Sequence, residues 1–400
     1  MTDALPAFPM ARATGCPFDP PPQLRKAGPI SRVRLWNGAT PWQITGYDDL
    51  RAVLSDQRFS ADSRHDGYPH QSASVRARQS TAYRAFIAMD DPEHARLRRM
   101  LTAELSAKRV EAMRPQLQRI VDDLIDDLLA GPNPVDLVPA FAFAVPSLTL
   151  CLLLGLPLAD RDFFRTTSRK LLSWTTPVEE AMLISRELRA YLVEVIAAKQ
   201  HSPTDDLIGR LAAGPLAAGA ATVDEILDLI VQVLIAGHET TGNMIALGTL
   251  ALLAHPGQLA ELRTTTDPQT IATATDELLR YLSVVHDGRR RVATADIEIG
   301  GRLIRAGEGV VLLLEAGNRD HTVFPDPDRL DIHRRPHRHL AFGHGTHLCL
   351  GQPLARAELR TVYGTLYRRI PTLRLAIPLE ELEFERETVV YGVRTLPVEW

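Results

Sequence analysis

The stretch FGHGTHLCLG, Phe342 to Gly351, carries the most information about the fold of this chain. It holds three glycines, two histidines and one of only three cysteines in 400 residues. The glycines permit a tight, irregular backbone, and Pro353 with the periodic residues after it predicts a helix directly behind Cys349. A thiolate at a helix N-terminus is stabilised by the helix dipole and by unpaired amides. We therefore expect the sulfur of Cys349 to be ionised.

Four roles compete for Cys349. A buried structural cysteine needs no glycines around it, and a nucleophile needs a histidine and an orienting group nearby in space. A zinc site usually has two halves with paired cysteine or histidine spacing, and the sequence shows no second half. Five histidines precede the cysteine in sequence and could supply ligands: His333, His337, His339, His344 and His347. The fourth role, an axial thiolate on haem iron, needs only one cysteine. The residues of this stretch favour that role and leave the nucleophile open.

Composition and charge exclude several classes of protein. Hydrophobic residues make up 45% and charged residues 24% of the chain, which is ordinary for a folded globular protein. A net charge of -4 gives no general attraction to nucleic acid. Three distant cysteines are too few for a disulfide framework, and we expect a cytoplasmic protein without a signal peptide. The longest apolar run, Val145 to Leu158, is broken by Pro146 and Gly155, so we expect a buried helix and no membrane span.

Hydrophobic periodicity predicts a mainly helical fold with small β-sheets. The segments 31–36 and 41–46 alternate like a hairpin, and 47–56 returns to helical spacing. Thr222 and Glu225 form a capping box that opens a helix of about 30 residues, which continues until Pro256. This helix has few charges after its first turn, so it should cross the middle of the fold. Strand patterns follow after residue 290, at 295–301, 308–317 and 388–393.

The middle of this long helix reads AGHETTGN, Ala236 to Asn243. A glycine inside a helix costs about 1 kcal/mol relative to alanine, so Gly237 and Gly242 need a reason. One reason is close packing between helices. The other is a groove in which Gly237 lets a small ligand approach the backbone, beside the carboxylate of Glu239 and the hydroxyl of Thr240, which can also bond back to a carbonyl and bend the helix.

Three further signals are weak when each is taken alone. Glu277 and Arg280 lie three residues apart on one helix face and can pair. His94 and Arg98 lie four residues apart and could grip an anion, and Arg291 leads into a strand. Most such pairs are solvated surface groups that contribute little.

Taken together, these motifs resemble those of a soluble bacterial cytochrome P450, over nearly the whole chain. FGHGTHLCLG matches the family's haem-binding loop, AGHETT its oxygen-binding groove, ELLR its Glu-x-x-Arg helix and PDRL the segment that supplies a third cluster member. The resemblance implies one haem domain over 1–400, with the long helix lying over the haem. The segments CPFDPPP, MDDPEH, AGNRD and GQPLAR are most similar to actinomycete enzymes that oxidise natural products or foreign compounds.

The resemblance also implies roles for single residues. The cofactor is haem b (iron protoporphyrin IX), with Cys349 as axial ligand of its iron. The haem propionates would be bound by four residues that lie apart in the sequence and would together form one anion-binding site: His94, Arg98, Arg291 and His347. Phe342, Gly343 and Gly351 border the thiolate, and Ala236 and Gly237 form the groove. Thr240, assisted by Glu239, delivers protons for cleavage of dioxygen, and Glu277, Arg280 and Arg329 form a structural cluster behind the haem.

The implied activity is hydroxylation or epoxidation of a lipophilic small molecule by activated O2. Electrons would come from a separate ferredoxin and ferredoxin reductase, with Arg99, Arg338 and Arg356 as a local docking patch on an otherwise acidic monomer. Oxidative coupling, cyclisation or nitration, and a catalytically silent haem-binding module that recruits another enzyme, are the alternatives. Family position predicts that the pocket is lined from 63–88, 163–192, 235–236 and 284–285, including Tyr68, Trp174 and Met182.

Overall fold

The computed structural model describes residues 5–10, 16–26, 28–79, 85–335 and 338–400, without the side chains of residues 25, 26, 78 and 79. Helices dominate this part of the chain, in agreement with the sequence. In chain order they are α1 Gln23–Lys26, α2 Tyr47–Ser55, α3 Ala73–Gln79, α4 Glu93–Thr102, α5 Ala107–Ala130, α6 Ala144–Leu154, α7 Arg161–Leu172, α8 Val178–His201, α9 Leu207–Leu211, α10 Val223–Leu253, α11 Pro256–Thr264, α12 Pro268–Leu282, α13 Leu314–Gly317 and α14 Gln352–Arg369.

The strands are short and form four small sheets within the described residues. They are β1 Ile30–Arg32, β2 Trp42–Ile44, β3 Phe59–Ser60, β4 Val135–Asp136, β5 Arg289–Ala293, β6 Ile297–Ile299, β7 Arg302–Ile304, β8 Gly309–Leu312, β9 Arg374–Leu375, β10 Phe384–Glu385, β11 Gly392–Val393 and β12 Pro397–Glu399. The largest sheet has the order β1-β2-β8-β5-β3. Within it β2 and β8 are parallel, and the other neighbours are antiparallel.

The long helix α10 lies at the centre of the molecule. Its N-terminus is closed by the predicted capping box, in which Thr222 Oγ1 accepts from the Glu225 amide and the Glu225 carboxylate accepts from the Thr222 amide. Most of its residues are buried, and it packs against α6, α7, α8 and α14. An apolar helix of this length is stable in water only when neighbouring helices cover it.

Close helix packing explains two glycines of α10. A Cβ atom on Gly242 would lie 2.8 Å from the ring of Phe143, and one on Gly248 would lie 2.0 Å from the Tyr363 hydroxyl oxygen. That hydroxyl donates a 2.6 Å hydrogen bond to the Met244 carbonyl. The backbone of α10 can therefore approach its neighbours only where a side chain is missing.

Several sequence predictions differ from the structure in their boundaries. The predicted strand 308–317 ends at Leu312 and continues as the short helix α13, and in 388–393 only Gly392–Val393 forms a strand. The run 145–158 is helical from Ala144 to Leu154 and ends at Gly155 in the left-handed conformation, as predicted for a buried helix. Among the described residues no helix is both long and apolar enough to cross a membrane.

Candidate active site

A cavity of about 380 Å³ lies between the middle of α10 and the Phe342–Gly351 loop. From α10 it is lined by Ala236, Gly237 and Thr240, and from the loop by Cys349. Its lining therefore joins the two stretches that the sequence singled out. The fold thus brings together two stretches that lie more than a hundred residues apart in the sequence.

The wall formed by α10 is open at the predicted groove. Ala236 is exposed within an otherwise buried helix, and the Thr240 hydroxyl donates a 2.7 Å hydrogen bond to the Ala236 carbonyl. A Cβ atom on Gly237 would lie 3.1 Å from Leu150, so this glycine serves both the cavity and the contact with α6. Gly242 is a packing residue, and the approach of a small ligand to Gly237 stays a prediction.

Glu239 does not line the cavity, although its neighbour Thr240 does. Its side chain lies on another face of α10 and is buried. Asn243 donates to the Glu239 carbonyl at 2.9 Å and approaches its carboxylate at 3.5 Å. The structure thus places the acid and the alcohol side by side in sequence but on different faces of the helix.

The loop around Cys349 has the backbone that its glycines suggested. Gly343 and Gly345 have φ values of 77° and 71°, and a Cβ atom on Gly345 would lie 2.3 Å from the Leu54 carbonyl oxygen. The Cys349 amide donates to the Phe342 carbonyl at 2.8 Å, and α14 begins directly afterwards at Gln352. The sulfur is therefore held in place at the cavity wall by a constrained turn.

Burial raises the pKa of the Cys349 thiol, against the smaller opposing effects of Arg289 and of the amides of Gly351 and Gln352. Desolvation of the buried thiolate opposes the helix dipole, and the ionised state of this sulfur stays a prediction. A metal ion bonded to the sulfur would supply the missing stabilisation, since a coordinated thiol is deprotonated outright.

The predicted anion-binding residues gather at this cavity. Arg98, Arg291 and His347 line it, and His94 stacks on His347 with ring centroids 4.0 Å apart. Among the described residues neither arginine forms an ion pair with a carboxylate. Arg98 donates to the Leu348 carbonyl at 2.6 Å and Arg291 to the Arg290 carbonyl at 2.7 Å.

Arg98 and Arg291 are removed from water without a carboxylate partner among the described residues, whereas His94 Nδ1 lies 3.1 Å from Asp91 Oδ1. Burial lowers the pKa of both Arg98 and Arg291, and burial together with the nearby Arg291 lowers the pKa of His347 to about 2. His94 Nε2 and His347 Nδ1 are buried and have no hydrogen-bond partner among the described residues, and burial also lowers the pKa of His94. Buried cations are normally paired. The cavity therefore fits a ligand that is largely apolar, bears carboxylates and offers a metal to sulfur, as haem does.

The structural cluster behind the site differs from the prediction in one member. Arg280 forms two bonds to Glu277, at 2.7 and 2.8 Å, and both side chains are buried. The third member is Arg334, whose Nε donates to Glu277 Oε1 at 3.1 Å. The prediction of Arg329 is wrong, because its side chain is 69% exposed beside Asp331 and only its carbonyl accepts from Arg280 and Arg334.

Some of the predicted substrate-contact residues line the cavity, and others do not. Tyr68 lines the cavity, as do Val284 and Val285 and part of the segment 63–88, of which 80–84 lie outside the described residues. From 163–192 only Leu171 and Leu172 contribute. Trp174 and Met182 do not line it, and the Trp174 ring stacks on His286 at 5.6 Å.

Sequence reasoning missed several polar residues of the cavity lining, among them Gln232, Arg289 and Glu358. Gln232 lies one turn before Ala236 on α10, Arg289 begins β5, and Glu358 lies on α14. Glu358 is fully buried, and burial raises its pKa to about 8. The helical periodicity of α14 places Glu358 on the inner face, and a charge at an inner position is the signal that could have identified it.

The alternative of a zinc site finds no support in the described residues, where no group of three or more histidine, cysteine or acidic side chains could hold a metal ion. His337 lies outside those residues. His333 pairs with Glu261 at 2.8 Å, and His339 lies 3.7 Å from Asp276. His333 and His339 thus have separate acidic partners in the fold.

Comparison with known proteins gives one consistent result. The family described as Cytochrome P450 matches residues 270–372. Cytochrome P450 GfsF of Streptomyces halstedii is 50% identical over 99% of this chain and 96% of its own length, and its crystal structure agrees with a TM-score of 0.93 over 99% of this chain and 100% of that chain. Pentalenic acid synthase of Streptomyces avermitilis is 45% identical over 98% of this chain and 97% of its own length. The crystal structure of a mycinamicin VIII methyl hydroxylase of Micromonospora griseorubida, bound to mycinamicin VIII, is 37% identical with a TM-score of 0.92 over 99% of this chain and 100% of that chain.

Proposed function

Because this chain belongs to the cytochrome P450 family of haem-thiolate monooxygenases, we propose that it hydroxylates or epoxidises a bulky lipophilic natural product or foreign compound. The family's cofactor is haem b. In this proposal Cys349 would bind the haem iron through its sulfur, and Arg98, Arg291, His94 and His347 would hold the propionates. Bound haem would supply the activation of dioxygen and the transfer of one oxygen atom.

One observation carries this proposal. The single cysteine of a constrained loop lines the same cavity as the open segment of α10, together with two arginines that have no carboxylate partner among the described residues. A ligand that brings carboxylates to Arg98 and Arg291 would form charge-assisted hydrogen bonds with groups that burial otherwise penalises. The free energy of cofactor binding would come largely from pairing these buried arginines with carboxylates and from contact with the apolar walls of the cavity.

The chain's own contribution to the chemistry is the supply and placement of protons. Thr240 presents a hydroxyl at the cavity, and that hydroxyl donates to the Ala236 carbonyl at 2.7 Å. Rotation about χ1 of Thr240 would release it towards the reacting molecules. Glu239 would pass protons to Thr240 from its position on the neighbouring face of α10, with an ordered water spanning the gap.

The lining indicates the class of substrate. Apolar residues from α6, α7, α10 and the Val284–Val285 and Val389–Val390 segments surround most of the cavity, with a few polar groups among them. Such a lining binds lipophilic molecules and orients them by few hydrogen bonds. The names of pentalenic acid synthase and of the mycinamicin VIII hydroxylase place two relatives in natural-product chemistry, which supports a substrate of that kind here.

We further propose a cytoplasmic monomer that takes electrons from an acidic ferredoxin through Arg99 and Arg338. Both side chains are exposed, and the helix of Arg99 also carries Arg98, which contacts the cysteine loop. Arg356 is omitted from this patch because it pairs with Asp276 at 2.9 Å and lies over the Phe342 ring. Charge reversal of Arg99 and Arg338 should slow reduction and weaken its salt dependence, whereas reversal of the exposed Arg386 should do neither.

The spectrum of the reduced protein with carbon monoxide tests the axial ligand. The wild type should show the red-shifted band of a thiolate complex, and Cys349→Ala should lose it while the matched variant Cys16→Ala keeps it. A thiolate band that persists in Cys349→Ala would remove this residue as ligand. A colourless wild type, purified from cells supplied with haem precursors, would refute the proposed function.

The substrate is tested by ligand binding and by labelled oxygen. Mycinamicin VIII and a panel of terpenoids and aromatic compounds should include at least one that shifts the spin state of the haem. Turnover of that compound under ¹⁸O₂ should place one labelled atom in the product. A product without label would indicate coupling or cyclisation in place of oxygen insertion.

A further inference from the structure

A buried polar cluster lies on the side of α10 away from the cavity, and the proposed function does not use it fully. It consists of Ser147 on α6 with His238 and Glu239 on α10. All three are buried, and His238 is only 1% exposed. A histidine at such a position is costly unless its ring nitrogens have partners.

The three side chains form a line. Ser147 Oγ lies 2.7 Å from His238 Nε2, and His238 Nδ1 lies 3.5 Å from Glu239 Oε1. In the part of the chain that the structure describes, neither His238 Nδ1 nor Glu239 Oε1 has a hydrogen-bond partner. Two unsatisfied buried atoms of complementary chemistry therefore face each other, and a small side-chain movement would join them.

The Ser147 hydroxyl can serve two acceptors. It lies 2.6 Å from the Phe143 carbonyl and 2.7 Å from His238 Nε2. When its hydrogen points to Phe143, His238 must carry its own proton on Nε2. When the hydrogen points to His238, the ring carries its proton on Nδ1, facing Glu239. Rotation of one hydroxyl thus accompanies the change between the two tautomers of His238.

A second, very small cavity lies beside this cluster and also borders the exposed residue Arg161. It measures about 10 Å³, roughly the space of one water molecule. Ser147 and His238 line it on one side, and Arg161, which is exposed at the first position of α7, lines it on the other. A water molecule there would be within the reach of both the cluster and the surface.

We propose that Ser147 and His238 form a relay that resupplies Glu239 with protons from the α6–α7 surface. This inference rests on the proposed function, in which Glu239 loses protons to the oxygen chemistry. It makes His238 and Ser147 positioning and transfer residues that act through Glu239, separate from the residues that touch the haem or the substrate.

The proton balance of the relay is simple. Glu239 gives up a proton towards Thr240 and becomes a carboxylate. His238 then releases its Nδ1 proton to Glu239 Oε1 and takes a proton on Nε2 from Ser147 Oγ, which is refilled from the small cavity. Transfer of the Nε2 proton to water and uptake of a proton from water on Nδ1 restore the starting tautomer, with no net change in the number of protons. One proton moves from the surface to Glu239, and no oxidant or reductant is consumed.

The first test needs no turnover. The holoenzyme with ¹⁵N-labelled histidine is reduced and saturated with carbon monoxide, and the ring nitrogens of His238 are assigned by their loss in His238→Gln. We expect Glu239→Gln and Ser147→Ala each to shift the tautomer ratio of His238. A single tautomer that neither variant changes would overturn the relay.

The second test compares two ways of driving the enzyme on one probe, naphthalene. Dioxygen with electrons from a surrogate ferredoxin and reductase requires protons from the protein, whereas hydrogen peroxide already carries them. In His238→Gln, which can keep the bond to Ser147 but cannot relay, electron-driven naphthol formation should fall at least five-fold with an altered solvent isotope effect. Peroxide-driven formation should stay within two-fold of the wild type.

Two controls separate a relay from packing damage. His255→Gln changes a histidine that bonds to a helix carbonyl at 2.7 Å and does not line the cavity, and it should leave both reactions unchanged. Ser147→Ala removes only one oxygen atom and replaces His238→Gln if the latter folds poorly. Equal loss of the two reactions, or loss of neither, would overturn the relay, while the carbon monoxide spectrum tests the haem ligand independently.

Discussion

Arg334 donates its Nε hydrogen to Glu277 Oε1 at 3.1 Å, and thereby completes the buried charge cluster at the end of α12. The Arg334 side chain is 10% exposed and that of Glu277 is 1% exposed. Arg334 also bonds to the carbonyls of Pro325, Asp326 and Arg329. It therefore fastens the 325–334 segment to the helix that carries Glu277.

Removal of Arg334 should destabilise the protein strongly. Breaking a buried ion pair by deleting one partner costs about 3–5 kcal/mol, because the remaining charge stays buried without compensation. We expect Arg334→Ala to lower the free energy of unfolding by about 3 kcal/mol in urea titrations followed by fluorescence and by the haem absorption. Arg329→Ala, at an exposed position, should change it by less than about 0.5 kcal/mol. The opposite ranking would restore Arg329 as the cluster member.

Glu358 should make stability depend on pH in the direction opposite to that of most carboxylates. Burial raises the pKa of Glu358 from 4.5 to about 8, so the folded protein keeps the acid protonated while the unfolded chain ionises it. Stability is fully present below pH 4.5 and is lost as pH rises towards 8. Glu358→Gln should therefore be more stable than the wild type at pH 7, by roughly 1–3 kcal/mol, with no gain at pH 4.5.

Unfolding titrations of both proteins between these pH values check this result. The exposed Glu381 provides the control, since Glu381→Gln should shift stability by no more than about 0.5 kcal/mol at any pH. A Glu358→Gln protein that is less stable at pH 7 would show that the carboxylate is ionised and paired in the folded state.

The packing of α10 predicts opposite effects for two glycine substitutions. In Gly248→Ala the new methyl group would overlap the Tyr363 hydroxyl and disturb its bond to the Met244 carbonyl, which should destabilise by about 1–3 kcal/mol. Gly257 in α11 has no atom within 4 Å of its Cβ position. Gly257→Ala should stabilise by about 0.4–1 kcal/mol through the unfolded chain. Thermal unfolding of both variants measures the difference.

The Thr240 hydroxyl should govern how efficiently electrons become product. Thr240→Ala removes the donor that lines the cavity, so more reducing equivalents should leave as peroxide and the yield of product per electron should fall on the order of ten-fold. Thr240→Ser keeps the hydroxyl and should retain most of the coupling. Peroxide and product are measured together with electron consumption. Equal coupling in Thr240→Ala and the wild type would indicate that protons arrive by another route.

The sequence was sufficient to predict the helical class, the long central helix and the cysteine loop. These features depend on local chemistry: the capping box at Thr222 and Glu225, the apolar periodicity of α10, and the glycines around Cys349. The family resemblance then named the anion-binding set, and the fold places Arg98, Arg291 and His347 at one cavity. Local patterns and motifs were enough because each feature is contained in a short segment.

Only the tertiary structure decided how segments distant in sequence meet. It selected Arg334 over Arg329, because the chain between 325 and 334 turns one side chain inwards and the other towards water. It placed Glu239 beside His238 and Ser147, and not in the cavity, because adjacent residues on a helix point about 100° apart. It also raised the pKa of the Cys349 thiol, because desolvation depends on everything packed around the sulfur, and a motif describes only its nearest residues.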